Sequence, residues 1–88
     1  MPKIQYTKRF WGVYKKLSSH MQKKVKKTIS LLVENPAHPS LRSKPIKGVP
    51  GLYEASIDMN YRGTYERLPG DVLLLRVVDE HDKALGNP

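Results

Sequence analysis

LYEASIDMNYRGTYERLPGDVLLLRVVDE, residues 52–80, holds three stretches with the two-residue period of β-structure, separated by turn residues. Tyr53, Ala55 and Ile57 alternate with Leu52, Glu54 and Ser56. A turn near Met59 leads into residues 61–67, Pro69-Gly70 makes another, and residues 71–79 form the most apolar strand. Turns this short join antiparallel neighbours. The odd positions Tyr53, Ala55, Ile57, Tyr61 and Tyr65 are apolar or aromatic, so this face should pack on something. The even positions Glu54, Ser56, Asn60, Arg62 and Thr64 are polar, and the opposite face reads as a wet surface able to host a site. A face that is merely solvated is the commoner cause of such alternation.

Towards the N-terminus, Val49-Pro50-Gly51 turns the chain, and residues 41–47 are expected to form a strand in which Pro45 implies an edge or a bulge. Residues 35–40, NPAHPS, are a connector. Before it the period becomes helical. Met21, Val25, Ile29 and Leu32 share one side with Thr28 and Val33, and Lys23, Lys24, Lys26 and Lys27 lie between them. Ser18 or Ser19 can cap this helix, and Asn35-Pro36 stops it, because the residue before proline is pushed out of the helical region. Thr7 can cap an earlier helix with Phe10, Val13, Tyr14 and Leu17 at i, i+3, i+4 and i+7, preceded by a short strand at Ile4-Gln5-Tyr6. The order is β-α-α-β-β-β. This is an α+β design, with two N-terminal helices on one face of a mostly antiparallel sheet of four to five strands. One domain spans residues 1–88, and residues 83–88 are expected to hang loose unless they dock.

Sixteen Lys and Arg against eight Asp and Glu give a net charge of +8, which favours a polyanion: nucleic acid, an anionic membrane surface or an acidic protein. A lysine-coated soluble helix explains the same composition equally well. With no cysteine, disulfides and thiolate metal sites are excluded, which fits a reducing cytoplasm. His20, His38 and His81 do not have the spacing of a helical zinc pair, and neither a phosphate-binding glycine loop nor a Ser-His-Asp arrangement appears. No metal and no cofactor are expected.

The residues that could carry chemistry are few. His81 follows the last strand in Asp79-Glu80-His81-Asp82. Carboxylates beside an imidazole favour its protonated, proton-donating form, although a surface histidine in a charged loop is the plainer reading. Arg62 stands within a strand on the polar face, and Arg76 interrupts an apolar strand. Each must reach solvent, an acid or a phosphate, and an ion pair with Glu54 or Glu66 would suffice. Arg42, Lys44 and Lys47 make the preceding strand basic, as a charged edge that resists aggregation also would be.

The order of elements, with NPAHPSLRSKPIKGVPGLYEASIDMNYRGTYE and DVLLLRVVDEHDKAL, resembles the RelE/ParE toxin superfamily over residues 6–85. The resemblance implies a type II toxin with a cognate protein antitoxin, and its nuclease members cut mRNA in the ribosomal A site. His81 falls where YafQ-like members place a catalytic histidine, and Arg62 where RelE-like and YoeB-like members keep a phosphate-binding arginine. Lys44 and Lys47 lie on the strand that supplies basic residues. The resemblance thus implies a ribosome-dependent endoribonuclease in which His81 is the general acid and Arg62 the clamp on the phosphorane, while Lys44, Lys47, Arg42 and Arg76 bind RNA. Ser56 and Asn60 depart from a family histidine and aspartate, and Ser40 from a family glutamate. Glu54 or a deprotonated lysine is left as the candidate base. Two alternatives are a ParE-type poison of DNA gyrase that cuts nothing and an inactive binding module of the same fold. Under the nuclease reading His81 and Arg62 should converge on one concave surface; the others need no such convergence.

Overall fold

A computed structural model describes all residues, 1–88. The chain runs through β1 (Lys3–Tyr6), α1 (Lys8–Tyr14), α2 (Ser19–Glu34), a 3-10 turn (Pro39–Leu41), β2 (Lys44–Pro45), β3 (Leu52–Ser56), β4 (Tyr61–Leu68), β5 (Val72–Glu80) and α3 (His81–Gly86). The five strands form one sheet in the order β1-β5-β4-β3-β2. β1 lies parallel to β5, and every other pair is antiparallel. No helix is long and apolar enough to cross a membrane.

Both helix starts lie where the caps place them. Thr7 Oγ1 accepts from the Phe10 N–H at 3.0 Å and donates to the Arg76 carbonyl at 2.9 Å, so one hydroxyl both starts α1 and fastens it to β5. Ser18 Oγ accepts from the Met21 N–H at 3.1 Å and starts α2. α1 ends at Tyr14, short of Leu17, because Lys16 and Leu17 bond three residues back and tighten the chain into the turn. Gln22 Nε2 then donates to the Tyr14 carbonyl, which closes the helical hairpin.

Phe10, Val25 and Leu32 of the helices meet Ala55, Tyr65, Leu73, Leu75 and Val78 of the sheet, with Tyr53 and Ile57 packed against them. Tyr61 stays outside this core and is half-exposed. The buried Tyr65 hydroxyl is satisfied by Ser43.

Three expectations need revision. The strand expected over residues 41–47 shrinks to Lys44–Pro45, because local bonds win first. His38 Nδ1 accepts from the Ser40 N–H, Pro39 opens a 3-10 turn, and Leu41, fully buried, pins it. Arg42 then sits in the left-handed region at φ 48°, which no strand can contain.

The face expected to be wet is largely covered. Glu54 and Thr64 are 7% and 1% exposed, and Val77 and Ala84 are buried too. A bulge at Thr64/Tyr65 pairs Thr64 with Val77 and Tyr65 with Leu75, leaving Arg76 between them. Beyond it β5 turns Val78 to the core and Val77 to the opposite face, where α3 packs back over β4 and β5.

The C-terminal residues therefore dock. Arg76 Nε at 3.1 Å and Thr64 Oγ1 at 3.4 Å both donate to the Pro88 carbonyl, and the Arg9 guanidinium donates to the Asn87 carbonyl.

Candidate functional site

The turn between β3 and β4 organises one end of the sheet. Asp58 Oδ1 accepts from the N–H groups of Asn60 and Tyr61 at 2.9 and 2.8 Å, a side-chain-built turn that short polar residues favour. Its Oδ2 lies 3.2 Å from Lys24 Nζ, which ties the turn to α2. Desolvation pushes the Asp58 carboxyl up, but the two backbone N–H groups and the Lys24 ammonium together hold it below the ordinary value of 3.8.

A lowered value means that the stabilisation is full above the unfolded pKa and is lost as pH falls through the folded one. Asp58→Ala is accordingly expected to cost about 1–2 kcal/mol near neutral pH, as loss of a helix cap does. The gap to the parent should narrow in urea unfolding at about pH 3. An equal gap at both pH values would reject the assignment.

Arg62 is built into the same corner. Its Nη1 donates to the carbonyls of Asp58 at 2.6 Å and Tyr61 at 3.1 Å, and its Nε lies 3.8 Å from Glu54 Oε1. Nη2 makes no hydrogen bond within the protein, so two donors of a fixed, permanently charged fork remain for a ligand. Arg62 borders a recess with Ser40, Arg42, Ser56, Asp58 and Met59. Arg42, whose left-handed backbone is costly for a residue that is not glycine, also borders this recess.

His81 opens α3 directly after β5. Its backbone N–H donates to the Asn60 carbonyl at 2.7 Å, which binds the strand end to the same turn. The imidazole is about half exposed, and Nδ1 lies 3.1 Å from Asp82 Oδ1, leaving Nε2 without a protein partner. With Met59, Asn60, Tyr61, Glu80 and Asp82 it lines a second recess. His81 and Arg62 thus border two adjoining recesses, which share Met59, rather than a single one. A third recess, lined by Lys24 and Lys27, continues from the Arg62 recess through Ser40, Ser56 and Asp58. The three recesses adjoin one another around the turn as a segmented groove.

Lys44 and Lys47 are exposed at the far edge of the sheet, with Lys44 opposite Glu54 in register. Arg76 stands apart from the groove. It lies 3.1 Å from Glu66 and holds Pro88, so its visible task is to fasten the C-terminus. The residue that sequence reasoning missed is Asp58. The signal was present in Asp58-Met59-Asn60, but nothing local announces the contact with Lys24, 34 positions away.

No protein-family profile matches the sequence, and no curated protein does. Solved structures do match in three dimensions. The YoeB/ParE toxin from Agrobacterium tumefaciens is 21% identical with a TM-score of 0.77, over 90% of this chain and 98% of that one. YafQ from E. coli is 18% identical with a TM-score of 0.75, over 94% and 97%. A chain of the RelB-RelE antitoxin-toxin complex from Methanococcus jannaschii is 25% identical with a TM-score of 0.72, over 90% and 92%. The mixed five-stranded sheet, its helical hairpin and the short closing helix are the fold of the RelE/ParE toxin superfamily.

Proposed function

We propose that the chain is the toxin of a type II toxin–antitoxin pair and that it cuts mRNA on the ribosome, in the cytoplasm, without a metal or cofactor. Support for the toxin reading is the shared fold along nearly the whole chain with proteins described as toxins or as toxin–antitoxin complexes. The observation that carries the nuclease reading is the exposed His81 at the end of β5, next to a recess lined by Arg42 and Arg62.

Cleavage of RNA by its own 2′-hydroxyl needs a base, a cation for the phosphorane and an acid for the departing 5′-oxygen. His81 supplies the acid, its Nδ1 steadied by Asp82. Arg62, preset by Asp58 and Tyr61, offers its Nη2 to the phosphate, with Arg42 beside it. Lys44 and Lys47 position the flanking strand. Glu54 is unsuited to the base role, since it is buried beside Arg62. Glu80 and Asp82 border the His81 recess and are the carboxylates within reach of that task. A cognate antitoxin neutralises the protein by covering part of its basic surface.

Induced expression followed by mapping of mRNA 5′ ends tests the reading. Cuts in register with codons are expected. Intact mRNA with DNA damage would replace it with the second reading, a gyrase poison, which the departures at Ser40, Ser56 and Asn60 from the family's acid–base pattern favour.

A further inference from the structure

In-line displacement puts the attacking 2′-oxygen and the departing 5′-oxygen on opposite sides of the phosphorus, so base and acid must act from opposite sides of the phosphate. Glu80 and Asp82 line the same recess as His81, the acid. The Arg62 recess meets that one at Met59 and offers no free carboxylate. Its single acid, Asp58, is held by two backbone N–H groups and by Lys24.

What the Arg62 recess does contain is Ser40, whose hydroxyl lies 2.7 Å from His38 Nδ1. The direction of this bond follows from a second one. The Ser40 backbone N–H donates to the same Nδ1 at 3.2 Å, so that nitrogen carries a lone pair and the ring hydrogen sits on Nε2. The Ser40 hydroxyl must therefore be the donor. An oxygen that can pass its own proton to an imidazole is ready to take up another. Ser56, the other hydroxyl of the recess, donates to the Asp58 carbonyl and has no such outlet.

The chain around the pair is fixed. His38 caps the 3-10 turn, the ring of Pro39 sets the backbone at its start, and the fully buried Leu41 anchors it. Ser40 is thereby held at the recess between its imidazole and Arg42.

We infer that Ser40 and His38 form the general base of the cleavage, with Ser40 touching the 2′-hydroxyl and His38 as the final proton acceptor; this rests on the cleavage reading above. As the 2′-oxygen bonds to phosphorus, its proton moves to Ser40 Oγ and the Ser40 proton moves to His38 Nδ1. The serine is left unchanged and the imidazole becomes an imidazolium. On the other side the bond from phosphorus to the 5′-oxygen breaks, and that oxygen takes the proton of His81. The products are a 2′,3′-cyclic phosphate and a 5′-hydroxyl end. Solvent then removes the proton gained by His38 and replaces the one lost by His81.

The test is single-turnover cleavage by the full chain on programmed ribosomes, with an mRNA whose cut site has been mapped for the parent. His38→Asn keeps an acceptor for the Ser40 N–H at the cap but cannot take up a proton. It should unfold at the parent's temperature, bind ribosomes as the parent does and cut about 10²-fold more slowly. Ser40→Ala, which leaves the backbone bond to His38 in place, should be slowed to the same degree. The double variant should be no slower than either single one, because the two residues act as a unit. An mRNA with sulfur in place of the 5′-oxygen at the cut site has a leaving group that needs no proton. On it His81→Ala should regain most of the parent's rate, whereas His38→Asn and Ser40→Ala should stay slow.

A His38→Asn or Ser40→Ala protein that cuts at the parent's rate would overturn the inference and return the base role to Glu80 or Asp82. So would multiplied losses in the double variant, or recovery of either single variant on the sulfur substrate. Failure of the cleavage reading shows separately, as mRNA that the parent itself leaves uncut.

Discussion

Replacing Arg62 with alanine is expected to slow mRNA cleavage on programmed ribosomes by about 10²- to 10³-fold, the usual cost of removing one preorganised donor from a developing anion. The guanidinium is unusually well fixed. Two carbonyls take Nη1 and Glu54 faces Nε, so the remaining Nη2 is aimed before any ligand arrives and needs little reorganisation.

The same contacts give the substitution a structural effect, because the Asp58 and Tyr61 carbonyls and the Glu54 carboxylate lose a partner. Thermal unfolding must therefore accompany the kinetics. Arg62→Lys separates the two effects. One ammonium cannot hold two carbonyls and also present a fork to phosphate, so a folded lysine variant should remain slow. A lysine variant that cuts at the parent's rate would remove Arg62 from the mechanism.

How far the sequence foretold this site depends on which residues set each element. The helical hairpin was legible because Thr7 and Ser18 do local work: each cap bonds an N–H three residues away, and the apolar spacing that follows is set by the same turn. The three long strands were legible for a like reason, since alternation in Tyr53, Ala55 and Tyr65 reports one buried face.

What escaped reading depends on distance or brevity. Residues 41–47 look extended in composition, yet a histidine cap, a proline and one buried leucine convert the start into a 3-10 turn. α3 has six residues, too few to show a helical period, and its burial of Ala84 requires the sheet face to be there first. The bulge that puts Val77 on the opposite face from Val78 leaves no mark in an unbroken apolar run. Arg62 was legible as a mid-strand arginine that must find a partner. That its partners would be two carbonyls of the adjoining turn could only come from the fold.

Arg42, Lys44 and Lys47 draw attention because they follow the connector beside the candidate site, whereas the lysines of α2 look like an ordinary solvated face. The acids all lie beyond residue 33, and the sheet shows which cations they meet. Asp58 and Glu54 neutralise cations at the groove, Glu66 neutralises Arg76, and none approaches Lys23, Lys26 or Lys27.

His81→Ala is expected to act on the chemistry and not on the fold. The imidazole lies in the groove, about half exposed, with its backbone N–H rather than its ring joined to the turn. Removing the ring therefore leaves the Asn60 contact, α3 and the buried Ala84 in place, and unfolding should occur close to the parent's temperature. The acid for the 5′-oxygen would be gone, and cleavage on ribosomes should fall by roughly 10²-fold or more, the range of a positioned acid–base group. Ribosome binding should be nearly unchanged, because the lysines of α2 and the guanidinium groups of Arg42 and Arg62 are untouched.

The ring's partner offers a second check. Asp82→Asn, which removes the partner of Nδ1 but keeps the ring, should slow cleavage less than His81→Ala does. A His81→Ala protein that folds, binds ribosomes and cuts at the parent's rate would return the histidine to the surface of a charged strand end and leave the chain's toxicity to another target.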